Sequence, residues 1–151
     1  MEKIEFKYFK LLAIYSVILG GACSILSLIP IFMPFFSLLF LPFFGCIAPF
    51  LVLILKDEIQ IKYLKTYAVL GALSGICLCF GYFIIFVPLV RLIVLINKNY
   101  YSYGITFLNP FLAVMFFVMI ASVYAITNSV VGIATGFVYN YFKGTENEKN
   151  G

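Results

Sequence analysis

A chain of 151 residues that is 64% hydrophobic and 11% charged, with a mean hydropathy of +1.12, leaves no room for a soluble domain beside its apolar segments. Its net charge of +4 is the balance of ten basic residues against six acidic ones, and the basic residues stand singly at the edges of those segments, so no basic patch favours nucleic acid and none is expected as a partner. There is no histidine, and all six acidic residues lie outside the apolar runs, which argues against base-activated nucleophiles and carboxylate pairs; no enzymatic activity and no cofactor are expected.

Three stretches carry no charge: Leu11 to Leu55, Thr66 to Val90 and Asn99 to Phe142, of 45, 25 and 44 residues. A membrane helix needs about 20 mostly apolar residues to cross about 30 Å of hydrocarbon. These runs therefore predict an integral membrane protein, all-α, built as one four-helix bundle over residues 1–151 with a Pro-kinked second helix.

The first predicted helix covers 9–29. Gly20-Gly21-Ala22-Cys23 has the small residues of a signal cleavage site, but Glu2 and Glu5 dilute the basic region before it and apolar sequence continues past Cys23, so the segment reads as a retained anchor. Pro30 to Pro34 separates it from the second helix, 35–55, which contains Pro42 and Pro49. Each proline removes a backbone donor, so this segment is either a kinked span or a re-entrant hairpin. Its phenylalanines, Phe35, Phe36, Phe40, Phe43, Phe44 and Phe50, suggest a lipid-facing position. The third helix covers 66–96, with a bend expected at Pro88. The fourth covers 105–142, where Asn109-Pro110 reads as an N-cap and first-turn proline. Breaking this last segment at Thr127-Asn128-Ser129 would leave 13 apolar residues, about 20 Å of helix, which is too short to cross.

With four crossings, eight of the ten basic residues share one side and only Arg91 and Lys98 the other, which predicts a cell-membrane protein with both termini cytoplasmic. Tyrosine and phenylalanine cluster at the same boundaries, as at Tyr100, Tyr101 and Tyr103.

The most specific pattern is a set of small-residue stripes: Ser16, Gly20, Ser24 and Ser27; Ala68, Gly71, Gly75 and Cys79; and Ser122, Ala125, Ser129, Gly132 and Gly136. Helices in lipid associate through close backbone approach, so Gly20, Ser24, Gly71, Gly75, Ser129, Gly132 and Gly136 are predicted to form a packing face within the bundle or an oligomer face. Asn128 is the most polar point at membrane depth and is predicted either to make an interhelical hydrogen bond or to line a pore. Metal binding is not expected. Cys77 and Cys79 are two apart and point in different directions on a helix, and Met115 and Met119 read as packing residues.

The stretch Gly20-Gly21-Ala22-Cys23-Ser24-Ile25-Leu26-Ser27-Leu28-Ile29-Pro30-Ile31, followed by Cys46 and an apolar run ending in Lys56-Asp57-Glu58, resembles small uncharacterised prokaryotic membrane proteins. Those proteins carry a Gly- and Ser-rich first helix ending in Ser-x-Ile-Pro, a cysteine-containing second helix and later Gly-rich helices. The likeness covers about residues 15 to 80, and where those proteins often cluster several cysteines in the second segment this chain has Cys46 alone. The resemblance implies a four-helix membrane fold and carries no activity. The expected role is a non-enzymatic scaffold or accessory subunit embedded in the lipid bilayer and touching a second copy or another membrane subunit; the alternative is a small oligomeric channel or facilitator.

Overall fold

The computed structural model describes residues 6–29, 31–32, 35–55, 64–96 and 110–149, and every regular element among them is helical. In chain order these are α1 (Phe6–Leu26), a π-helix (Phe35–Phe44), α2 (Ile47–Leu55), α3 (Leu64–Ile96) and α4 (Pro110–Lys149). Three of them, over Phe9–Leu26, Leu64–Ile93 and Val114–Tyr141, are long and apolar enough to cross a membrane. The expected start of the last helix at Ile105 lies outside the described residues; from Pro110 onward it is continuous through Thr127-Asn128-Ser129 and extends past Phe142 to Lys149.

α1 ends earlier than the expected Ile29. The Ser27 N–H still donates to the Cys23 carbonyl, but the next two bonds, Leu28 to Ile25 and Ile29 to Leu26, span three residues, so the ladder tightens and stops. The Ser27 hydroxyl adds a second bond to the Cys23 carbonyl at 2.8 Å.

The second apolar segment differs most from expectation. Instead of one kinked helix over 35–55 there are two short ones, separated by a turn at Gly45 and Cys46. Pro42 lies inside the π-helix, where its missing N–H already leaves a gap in any α ladder. Cys46 accepts the first bond of α2 from the Phe50 N–H at 3.1 Å, which places Pro49 in the first turn, where backbone donors have no intrahelical acceptor. Neither piece alone has the length of a span.

Contacts between helices give their directions. α1 and α3 are parallel: the hydroxyls of Ser16 and Ser74 are 3.1 Å apart, and one turn on Gly20 lies against the backbone of Leu78 and Tyr82. α3 and α4 are antiparallel, with Gly71 against the Asn128 backbone, Gly75 against that of Tyr124, and Gly132 against the Tyr67 carbonyl. The broken segment follows α4 downward. Ser37 is level with Tyr124, Leu41 and Cys46 with Asn128, and the Phe50 ring lies tilted, at 5.8 Å, against that of Tyr67, which lies under Gly136. It therefore advances along the bundle without doubling back.

Two buried clusters fill the space between these elements. One centres on Leu41, Leu78, Cys79, Tyr82 and Tyr124, the other on Leu12, Cys46, Phe50, Tyr67 and Leu70. Phe50 is thus core and not lipid-facing as expected, whereas Phe35, Phe43 and Phe44 do face outward.

Adjacent glycines in α1 give a sharp test of backbone-limited packing. A Cβ on Gly20 would meet the Leu78 carbonyl and the Tyr82 nitrogen, whereas one on Gly21 would crowd the flexible end of the Ile85 side chain at 2.7 Å and leave the nearest backbone atom at an ordinary 3.9 Å. Gly20→Ala should cost about 1–3 kcal/mol as an overpacked contact, and Gly21→Ala should be neutral or slightly stabilising through helix propensity. Thermal unfolding of the two variants in the same detergent measures the difference; equal melting points would show that α1 does not meet α3 in this register.

Candidate functional site: an asparagine in a broken helix

The buried stripe of α4 passes through Ala121, Tyr124, Asn128, Gly132 and Gly136. Successive steps of three or four residues keep these positions on one face. Ser122 points outward and returns its hydroxyl to the Val118 carbonyl at 2.8 Å, and Thr127 and Thr135 do the same to Val123 and Val131. Such hydroxyls are satisfied within their own helix. From the polar triplet Thr127-Asn128-Ser129, Asn128 reaches across to another element.

Asn128 is completely buried, and the oxygen and both N–H groups of its carboxamide are engaged. The side-chain oxygen accepts from the Cys46 N–H at 2.9 Å; the side-chain nitrogen donates to the Leu41 carbonyl at 3.1 Å and to the Tyr124 carbonyl of its own helix at 2.9 Å. The Cys46 thiol donates in turn to the Asn128 carbonyl at 3.5 Å. One turn earlier on α4, the Tyr124 hydroxyl donates to the Ser37 carbonyl in the π-helix. Two side chains four residues apart thus supply the backbone of the interrupted segment with the partners that regular helix would have provided. With both amide donors and its oxygen engaged, Asn128 has little left to offer a permeating solute in this arrangement.

The other predicted residues lie within the chain's own contacts. Gly20 meets α3, Gly71 and Gly75 meet the α4 backbone, and Gly132 approaches the Tyr67 carbonyl and the Gly71 Cα. Ser129 contributes its Cα to the surface under Gly71. Ser24 is fully buried with its hydroxyl unpaired, as is the hydroxyl of Tyr67. Gly81, which lies on the backbone of Val17, and Gly45, where a side chain would meet the Leu41 carbonyl and a Leu78 methyl at 2.6 Å, belong to the same system but fall off the heptad-like stripes. Tyr124 was also missed; its spacing of four from Asn128 is the signal that could have flagged it.

Among the described residues no group of three or more His, Cys, Asp or Glu is placed to hold a metal. Cys79 is buried and Cys77 only half-buried, as the different directions of residues two apart require, while Met115 and Met119 face outward. No family model, curated protein or solved structure matches this chain.

Two substitutions test these bonds. Tyr124→Phe leaves the Ser37 carbonyl without that donor and should cost about 1–3 kcal/mol in detergent unfolding. A double-mutant cycle on Ser16→Ala and Ser74→Ala should return a coupling of about 0.6 kcal/mol, the usual size for hydrogen bonds between membrane helices. A coupling of zero would remove the α1 to α3 hydroxyl contact.

Proposed function

We propose that this chain is a non-enzymatic, multi-pass protein of the cell membrane, with four crossings and both termini cytoplasmic, that serves as a scaffold or accessory subunit. The observation that carries this reading is how the polar and apolar groups are distributed. The polar groups at depth that reach between elements, Asn128, Tyr124, Ser16 and Ser74, hold helices to one another, while α4 turns a long apolar surface outward at Phe111, Val114, Met119, Ile126, Val130 and Phe137. Such a surface suits lipid and flat helix-to-helix contact with a second copy or another membrane subunit. Lengthwise pairing of the broken segment with α4 supports a fourth crossing, and the eight-to-two division of basic residues supports the orientation. The likeness to small four-helix prokaryotic membrane proteins fits the same topology.

One feature favours the alternative of a small oligomeric channel or facilitator: a helix interrupted between two clusters is how many carriers present backbone to a solute. Here the interruption is filled by Asn128, which weighs for the scaffold reading.

Orientation is tested by cysteines placed singly at Lys62, Asn99 and Glu146 in a background without native cysteines. An impermeant thiol reagent applied to intact cells should label the Asn99 site and spare the other two; labelling at Glu146 without Lys62 would mean an odd number of crossings. Role is tested by extraction in native lipid followed by identification of what co-purifies, beside solute flux in proteoliposomes of the protein alone. A stoichiometric membrane partner and flux no greater than in empty vesicles are expected; flux altered by Asn128 substitution would overturn the scaffold reading.

A further inference from the structure

The carboxamide of Asn128 occupies the place of one particular backbone bond. A π-helix pairs the carbonyl of residue i with the N–H of residue i+5, and extending the ladder of Phe35–Phe44 beyond its end would pair the Leu41 carbonyl with the Cys46 N–H. These are the two groups that Asn128 separates: it accepts from Cys46 at 2.9 Å and donates to Leu41 at 3.1 Å, as an inserted peptide group would. We propose that Asn128 is a removable wedge and that the second apolar segment has two hydrogen-bonded states. In one the carboxamide is inserted and the π-helix and α2 are separate. In the other the amide withdraws, the Cys46 N–H donates directly to the Leu41 carbonyl at about 2.9 Å, and the two helices join.

Three features of the structure make this exchange feasible. Both backbone groups keep a partner in either state, which is the condition for any backbone conformation surrounded by hydrocarbon. Gly45, in the turn that must close, has no side chain to obstruct the Leu41 carbonyl. The moving part is also defined, because α3 and α4 touch through Gly71, Gly75 and Gly132 with backbone on backbone and so shift as one body, while the broken segment is bonded to α4 through side chains: Tyr124, Asn128 and the Cys46 thiol on the Asn128 carbonyl. The inserted state satisfies more of the carboxamide and is the major one. The joined state is the minor one, and a displacement of the segment along α4 interconverts them. This device is independent of the scaffold reading, since it concerns the chain's own conformations whatever the chain assembles with.

The test measures the distance between spin labels at Leu38 and Leu51, both outward-facing, by pulsed electron resonance in lipid nanodiscs. The four native cysteines are replaced by alanine, which keeps the N–H of residue 46. The parent should show one major distance and a minor second one. Asn128→Leu, similar in volume but without polar atoms, should move the whole population to the minor distance with a melting point within about 5 °C of the parent, because the two freed groups pair with each other. Proline at position 46 in this background removes the N–H needed for joining and also its bond to the Asn128 oxygen, but leaves the bonds from Asn128 to Leu41 and Tyr124 and from Tyr124 to Ser37, so Cys46→Pro should abolish the minor distance and keep the major one at a lower melting point. The proposal is overturned if Asn128→Leu leaves the distance unchanged or unfolds the protein, or if the minor distance survives in Cys46→Pro.

Discussion

A backbone amide surrounded by hydrocarbon has no water to fall back on, and this constraint organises the whole arrangement around Asn128. Prolines at 42 and 49 deny the second apolar segment a continuous ladder, so its ends near Leu41 and Cys46 need partners from elsewhere. An asparagine is suited to the task because one flat group carries a donor and an acceptor side by side, as a peptide does. Placing it there requires α4 to run close beside the break. That closeness rests in turn on α3, whose glycines let α4 approach until a Cβ would have no room.

The glycine contacts and the asparagine bonds therefore act at the same level of the bundle. Gly71 lies on the backbone of Asn128 itself, and Gly75 on that of Tyr124, so the two residues of α4 that reach toward the broken segment are those whose backbone α3 touches. A larger residue at 71 or 75 would displace α4 and disturb the bonds that Tyr124 and Asn128 make to the broken segment. α1 joins α3 through Gly20, Gly81 and the Ser16 to Ser74 pair, and its Leu12 shares a core cluster with Cys46 and Phe50. The resulting assembly is a close α1 to α3 to α4 layer with the broken segment running lengthwise beside α4, its Leu41, Cys46 and Phe50 buried in the core.

Much of this layer is legible in the residue pattern, because close packing in lipid selects small residues at helical spacing and leaves a periodic trace. Gly20, Gly71, Gly75, Gly132 and Gly136 carry that trace. Ser122 carries it too and yet faces outward, since a hydroxyl bonded to its own helix is also small and also tolerated on a lipid-facing surface. The break in the second segment is half legible: two prolines announce an irregularity, but whether a proline kinks a helix or divides it depends on which groups lie opposite. Those groups, Asn128 and Tyr124, are more than 80 residues away in sequence. Polarity at membrane depth singled out Asn128, while nothing in sequence spacing connected it to Leu41 and Cys46. Phe50 shows the same limit, being aromatic in a phenylalanine-rich run whose other members mostly face outward.

Helix length adds a further constraint on how this layer sits in a bilayer. The apolar windows of α3 and α4, 30 and 28 residues, correspond to about 45 and 42 Å of helix against a hydrocarbon thickness of about 30 Å. Accommodating 45 Å by tilt alone would need roughly 48°, beyond the range of about 0–40° found for membrane helices. Tilt of the α3 and α4 pair must therefore be combined with local thickening of the bilayer or with apolar helix standing at the interface. α1 pairs with α3 as far as Tyr82 and Ile85, so any excess at that end falls on the α3 and α4 hairpin, where Leu92, Leu95, Ile96 and Phe111 face outward. Arg91 lies in the same stretch, and a long cationic side chain that snorkels to the headgroups would set how far the hairpin can sink. Tilt would then be governed from this end of the bundle, and any tilt that slides α4 along the broken segment acts directly on the bonds made by Tyr124 and Asn128.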